Sequence, residues 1–372
     1  MTKLQICTRT VMDTTDPSIT FNEKGECNYC DYFDNQVKPN WHPGTEEGAR
    51  LLEKLVADVK ESSKGNEYDC IIGLSGGVDS SYLAMKVVEL GLKPLAIHVD
   101  SGWNSELAVH NIENIVKNLG IDLFTYVVDW KEIRDLQYAY FKSGVMNLDV
   151  PQDHLFTAIL YQQAKQHNVK YFLSGSNIAT ESILPEAWGY DALDAVNMKA
   201  IQKQFGKLKK FKSYKFLSFY DCYVKYPRIF GLRKAAPLDY MVYEREAAKE
   251  AIIEKLNWRD YGAKHHESKF TKFFQAHYLP HKFGVDKRKA HLTSMILSGQ
   301  ISREDAFKEL EEPLYNPNEL REDKEFVAKK LGFSQPEFDA LLDGECVDYS
   351  HYKNQKWLFD LKSKIAKIIR GN

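Results

Sequence analysis

A short apolar run, Cys70-Ile71-Ile72-Gly73-Leu74, leads straight into Ser75-Gly76-Gly77-Val78-Asp79-Ser80, and residues 81–90 then repeat apolar positions at helical spacing. A buried strand, a glycine-serine loop and a helix in that order leave few folds open. The start of such a helix presents unpaired backbone N–H groups and the positive end of its dipole to an arriving anion. Gly76 and Gly77 let the backbone come close to that anion, and Ser75 and Ser80 add hydroxyl donors. No Gly-Lys-Ser/Thr follows, so this is not a Walker A loop. The plainer alternative is a glycine turn that only closes a βαβ unit.

The pattern continues downstream. Apolar runs at 94–99, 123–128 and 169–173 read as three more strands, with helical periodicity between them at 106–119, 130–140 and 154–167. This rhythm predicts an α/β fold, a mostly parallel sheet covered on both faces. Ligands of such sheets bind beyond the carboxyl ends of the strands, where the glycine loop lies. The chain divides into three segments. Residues 1–65 form a turn-rich, Cys-rich module and a linking helix at 46–62. Residues 66–185 form the nucleotide-type domain, and residues 186–372 form an α-rich lobe punctuated by Pro227, Pro237, Pro280 and Pro313. Ser302 before Arg303-Glu304-Asp305 reads as a capped helix start.

A formal net charge of -2 on 372 residues exerts no global pull on nucleic acid or an anionic membrane. No apolar run approaches the roughly 18 residues of a bilayer span, and the first residues lack a signal-peptide core. A cytoplasmic location without membrane insertion is therefore expected. Six cysteines are too few for a disulfide scaffold at this length.

Further motifs cluster around the expected site. Val99-Asp100-Ser101-Gly102 ends the second strand and Leu173-Ser174-Gly175-Ser176-Asn177 the fourth; each reads as a nucleotide contact or as a plain turn. Cys27-Asn28-Tyr29-Cys30 has zinc-knuckle spacing with Cys7 as a third thiolate. Thr10 stands where a fourth would fall, which leaves His42, a distant cysteine or water to complete a structural Zn²⁺ site; a thiol-rich module without metal is the alternative. Lys264-His265-His266-Glu267-Ser268 is the densest polar cluster of the last segment. Lys282, Lys287 and Arg288 are suited to a diphosphate or sugar acid, or to a solvated face. The run from Lys203 to Lys215, with Phe205, Phe211 and Tyr214, reads as a phosphate-and-stacking surface or, more simply, a solvated loop.

Together these motifs resemble the N-acetyl sugar amidotransferases, PP-loop ATP pyrophosphatases of bacterial surface-polysaccharide synthesis. The resemblance rests on Cys7-Thr8-Arg9, Val11-Met12-Asp13, Cys27-x-x-Cys30, Ser75–Ser80, Lys264–Ser268, the run from Lys282 to His291, and Gly299-Gln300 with Arg303-Glu304. It implies a PP-loop (HUP-like) domain that binds ATP through Ser75, Gly76, Gly77, Val78, Asp79 and Ser80. It also implies adenine contacts from Ile97, His98 and Val99, further nucleotide contacts from Asp100, Gly175, Ser176 and Asn177, and Mg²⁺ at Asp79 or Asp100. Asp79, Ser80, Lys264, His266 and Glu267 would be catalytic, and His265, Lys282, Lys287 and Arg288 would hold an N-acetyl sugar, free or UDP-linked. The acetamido oxygen would be adenylated and AMP displaced by ammonia, giving an acetamidino sugar for lipopolysaccharide O-antigen. A separate glutaminase and a barrel-like ammonia-conducting subunit are the implied partners. Rival expectations are a tRNA-modifying PP-loop enzyme, of thiolation or lysidine type, and a non-catalytic nucleotide-binding regulator. The missing basic excess speaks against tRNA.

Overall fold

The computed structural model describes residues 4–262 and 267–370. Its N-terminal module has a short helix α1 (Asn28–Tyr32), followed by the long α2 (Glu46–Ser62). Five strands then form one fully parallel sheet in the order β3-β2-β1-β4-β5. These are β1 (Cys70–Gly73), β2 (Pro94–Asp100), β3 (Asp122–Val127), β4 (Tyr171–Leu173) and β5 (Arg233–Ala235). The crossovers carry α3 (Val78–Glu89), α4 (Glu106–Leu119), α5 (Trp130–Ser143), α6 (Val150–Gln166), α7 (Ile178–Glu181) and α8 (Ala195–Phe205). Beyond β5 come α9 (Arg245–Leu256), α10 (Lys269–Phe273), α11 (Arg288–Leu297), α12 (Arg303–Glu311), α13 (Pro317–Leu331), α14 (Gln335–Asp343) and α15 (Lys356–Arg370).

Strand side chains alternate between the two faces, and both faces are covered. Cys70, Ile72 and Leu74 enter one core with Leu83, Val87, Ile112 and Ile252 of α3, α4 and α9. Ile71, Leu95 and Ile97 enter the other with Leu136, Leu155 and Ile159 of α5 and α6. The caps follow local chemistry. Ser105 Oγ accepts from the Ala108 N–H at 3.1 Å to start α4, and Gly120 ends it in the left-handed conformation. Ser302 caps α12 in the same way.

The order reverses between β1 and β4, so the chain leaves these neighbouring strands in opposite directions and opens a crevice at their carboxyl ends. The edge strand β5 comes from within residues 186–372, so that segment shares the sheet with the nucleotide-type domain.

The basic, aromatic run around Lys203–Lys215 is folded down onto α5. Buried Glu132 accepts from the backbone N–H groups of Lys212, Ser213 and Tyr214 at 2.5, 2.9 and 2.6 Å, and from Ser213 Oγ at 2.8 Å. Asp135 takes the N–H groups of Lys207 and Leu208 at 2.7 and 3.2 Å. Burial alone would raise the Glu132 carboxyl, but these donors outweigh it and hold it below the ordinary carboxylate range. Glu132→Gln turns an amide NH2 donor toward N–H groups that need an acceptor, and a loss of about 3 kcal/mol in chemical denaturation is expected. Because the folded-state pKa is depressed, this stabilisation is present above the unfolded value and fades as pH falls through the folded one.

Candidate active site

The site begins with the loop after β1. Gly76 has φ +85, and a Cβ there would lie 3.0 Å from the Ala108 carbonyl of α4, so both conformation and space require glycine. Its own carbonyl is held by Trp258 Nε1 at 2.8 Å. Gly77 is the N-cap of α3 and brings no capping side chain, so the first N–H groups of α3 face the crevice. Ser75 and Ser80 hydroxyls lie 3.2 Å apart, and Ser75 Oγ accepts from the Gly77 N–H at 3.2 Å, which shapes the loop from within. Gly175 after β4 packs against it: a Cβ there would meet the Asp79 carbonyl at 3.0 Å.

These elements wall a cavity of about 510 Å³. Ser75, Gly77, Val78, Asp79 and Ser80 line it, as do His98, Val99, Gly175, Ser176 and Glu267. Asp79 Oδ1 accepts from the Tyr243 hydroxyl and from Asn177 Nδ2 at 3.4 Å. A carboxylate inside an anion cradle repels a polyphosphate unless a cation sits between them. Asp79, Glu181 and Glu267 offer oxygen ligands on this cavity, the donor type a hard cation such as Mg²⁺ takes. His98 is a neutral, fixed tautomer: Nδ1 donates to the Leu74 carbonyl at 2.9 Å and Nε2 accepts from Asn104 Nδ2 at 2.9 Å. Burial lowers its pKa.

Several expected contacts have other work. Ile97 is fully buried and its carbonyl accepts from the Leu74 N–H, completing the sheet. Asp100 turns to its own loop, its Oδ1 taking the Gly102 N–H at 2.7 Å and Asn104 Nδ2 at 3.3 Å, and it does not line the cavity. Asn177 caps α7 through Thr180 at 2.9 Å. Lys282, expected on substrate, instead binds the Leu341 and Gly344 carbonyls at 2.7 and 2.9 Å and caps α14. Arg288 is the clearest correction. Its guanidinium spends its donors on Asp286 and on the carbonyls of Glu309, Leu310 and Glu312 at the end of α12. No donor is left for a ligand. Lys264, His265 and His266 lie outside the described residues.

Lys287 does face the cavity, toward a pair the sequence reading missed, Asp149 and Asp153 at the start of α6. Asp149 accepts from Gln152 Nε2 at 2.7 Å and from Thr271 Oγ1 at 3.3 Å. Burial pushes its carboxyl up to about 6, with Lys287 pulling the other way. Asp153 is open to the cavity, so its desolvation is that of an enclosed cleft and not of the core. That enclosure, reinforced by the Asp149 charge, pushes it up to about 7. Acids at a helix start read as ordinary caps, and only the fold brings these two against Lys287.

A second cavity, about 720 Å³, adjoins the first and shares Glu181, Arg245, Lys249, Gln275 and Lys287 with it. Its far wall is built by α11 and the end of α12.

The N-terminal module braces that wall. Arg303 of α12 donates to the Thr10 and Cys7 carbonyls at 3.0 and 2.8 Å, and Lys289 of α11 reaches Asp13 at 2.5 Å. Val11 packs with Leu292 and Ala306. Cys7, Cys27 and Cys30 are buried with their sulfurs within 4.8 Å of one another, at 3.7 Å for Cys7–Cys30 and 3.8 Å for Cys27–Cys30. A disulfide would need about 2.05 Å. A tetrahedral metal with bonds to sulfur of about 2.3 Å sets an edge of about 3.8 Å, so the thiols fit a metal site. Thr10 occupies the fourth corner, with Oγ1 3.7 Å from Cys27 Sγ. Among the described residues His42 does not join the group.

Comparison with known proteins gives related findings. Residues 267–366 match the family described as LPS biosynthesis protein WbpG-like, C-terminal domain, so the chain carries a WbpG-like C-terminal domain. The uncharacterised protein MJ1599 of Methanocaldococcus jannaschii is 25% identical over 181 residues, 47% of this chain and 59% of that protein. A glutamine-hydrolysing GMP synthase of Thermus thermophilus is 27% identical over 162 residues, 42% of this chain and 29% of the synthase. The chain thus spans less than two thirds of the length of these relatives. Among solved structures, the U34-tRNA thiolase NcsA of Methanococcus maripaludis aligns at TM-score 0.32 and 18% identity, covering 70% of this chain and 80% of NcsA. The NH3-dependent NAD synthetase of Campylobacter jejuni aligns at TM-score 0.30 and 19% identity, covering 42% and 72%.

Proposed function

We propose that the chain is an ATP-dependent, AMP- and pyrophosphate-forming amidotransferase that converts the acetamido group of an N-acetyl sugar to an acetamidino group. The observation that carries this reading is the pair of joined cavities. One contains an anion cradle at the β1/β4 crevice, and the other runs into a wall supplied by the WbpG-like domain. The triphosphate would lie along the Ser75–Ser80 loop, with the purine against Val99, Phe156 and Phe172. The acetamido sugar would reach the α phosphate from the second cavity.

Chemically, an amide carbonyl is a poor electrophile and its oxygen a poor leaving group. Attack of that oxygen on the α phosphorus breaks the bond to the bridging oxygen, and pyrophosphate departs into the loop. The first N–H groups of α3 and the Ser75 and Ser80 hydroxyls stabilise the charge that builds there. Mg²⁺, if held by Asp79 with Glu181 or Glu267, supplies further charge neutralisation. Ammonia then adds to the imidate carbon, AMP leaves with the former acetamido oxygen, and the nitrogen gives up a proton. Asp153 is the base we assign to that proton, with Asp149 and Lys287 setting its affinity. Ammonia would come from a glutaminase partner. Zn²⁺ is the metal we assign to Cys7, Cys27 and Cys30.

The reading is tested by mass spectrometry of the protein with ATP, Mg²⁺, ammonium and a panel of acetamido sugars, free and UDP-linked. The expected outcome is AMP, pyrophosphate and a sugar whose acetamido oxygen has become NH. ATP cleavage dependent on tRNA with every sugar unchanged would instead favour the tRNA-modifying reading. A pH profile adds a second check. Both carboxyls lie above their ordinary range, so the ionised pair forms only as pH rises, and activity should climb through an acidic limb near 6 to 7. Asp153→Asn should abolish that limb and lower kcat by about a hundredfold.

A further inference from the structure

We propose that α15, with the adjoining helix at 221–230, is a docking surface for an anionic lipid bilayer. The inner side of α15 is anchored: Phe359 is buried against the Phe219 and Tyr223 rings, at centroid distances of 5.3 and 5.9 Å, and Lys362 lies 4.2 Å over Tyr223. Among the described residues its other side is left open. Trp357, Leu361 and Ile365 recur every fourth residue, which aligns them on one stripe. They are 65%, 46% and 46% exposed. The neighbouring helix also exposes Tyr220, Val224 and Ile229.

Charge decides the occupant. The chain has a net charge of -2, yet α15 holds Lys356, Lys362, Lys364, Lys367 and Arg370 against Asp360 alone. The helix thus carries a net charge of +4 in a protein whose remaining residues sum to -6. An apolar stripe flanked by lysines, with a tryptophan in its first turn, suits a helix lying in the plane of a headgroup layer. A second copy of this chain would bring one cationic helix against another, which opposes self-association. Among the described residues no helix is long and apolar enough to cross a membrane, so the contact is with the surface.

The test is co-sedimentation of the full-length protein with vesicles of mixed phosphatidylglycerol and phosphatidylcholine, and with vesicles of phosphatidylcholine alone. The protein should bind the anionic vesicles, release as salt rises, and show quenching of Trp357 by brominated acyl chains. The double variant Trp357→Ser/Leu361→Ser should bind about tenfold or more weakly, with ATP cleavage and melting temperature unchanged. Equal binding to neutral vesicles, or no binding to anionic ones, overturns the proposal. So does full retention of binding by the variant. A dimer that dissociates in that variant would assign the stripe to a second copy, and a protein complex lost in it would assign the stripe to that protein.

Discussion

Replacing Asp79 with asparagine is expected to lower AMP formation by about a hundredfold to a thousandfold while the fold survives. The side chain sits in the first turn of α3, on the cavity, accepting from Tyr243 and Asn177. Asparagine keeps an oxygen for Tyr243, so the local packing is preserved. What it removes is the negative charge that allows a divalent cation to bridge protein and polyphosphate. Single-turnover AMP formation across a Mg²⁺ titration is the measurement: the variant should show both a lower plateau and a weaker Mg²⁺ dependence. Near-normal rates would make Asp79 a holder of Tyr243 and nothing more.

The second large effect is expected at Cys30. Cys30→Ser removes one of three converging sulfurs, and metal content by mass spectrometry should fall below stoichiometric. Structural Zn²⁺ binding is coupled to folding, so a loss of at least about 3 kcal/mol in stability is expected. The damage should be directional. The module touches α11 and α12 through Lys289 and Arg303, and these helices form the wall of the second cavity, not the glycine loop. Acceptor KM should therefore rise far more than the affinity for ATP. Thr10→Cys supplies the reverse test: it places a fourth thiol at the corner Thr10 occupies, and metal should then resist chelators longer.

Much of the framework was legible in the chain because periodicity is a local property. The strands at 70, 94, 122 and 171 and the helices between them follow from alternation and helical spacing. β5 escaped because Arg233-Lys234-Ala235 is a short, charged edge strand, the composition that edges use to avoid pairing. The site was half legible. The loop residues announce themselves by glycine and serine, whereas Arg288 and Lys282 look like ligand contacts until their carbonyl partners are seen. The opposite holds for Asp149, Asp153 and Arg245, which become site residues only when α6, α9 and Lys287 converge on one cavity.

The central claim is that the acetamido oxygen attacks the α phosphorus of ATP. An N-acetyl sugar accepted in the panel, carrying heavy oxygen in its acetamido group, tests it in one turnover. The account predicts that the label appears in the phosphoryl group of AMP. Label found in inorganic phosphate, or left on the sugar while ATP is cleaved, would contradict it.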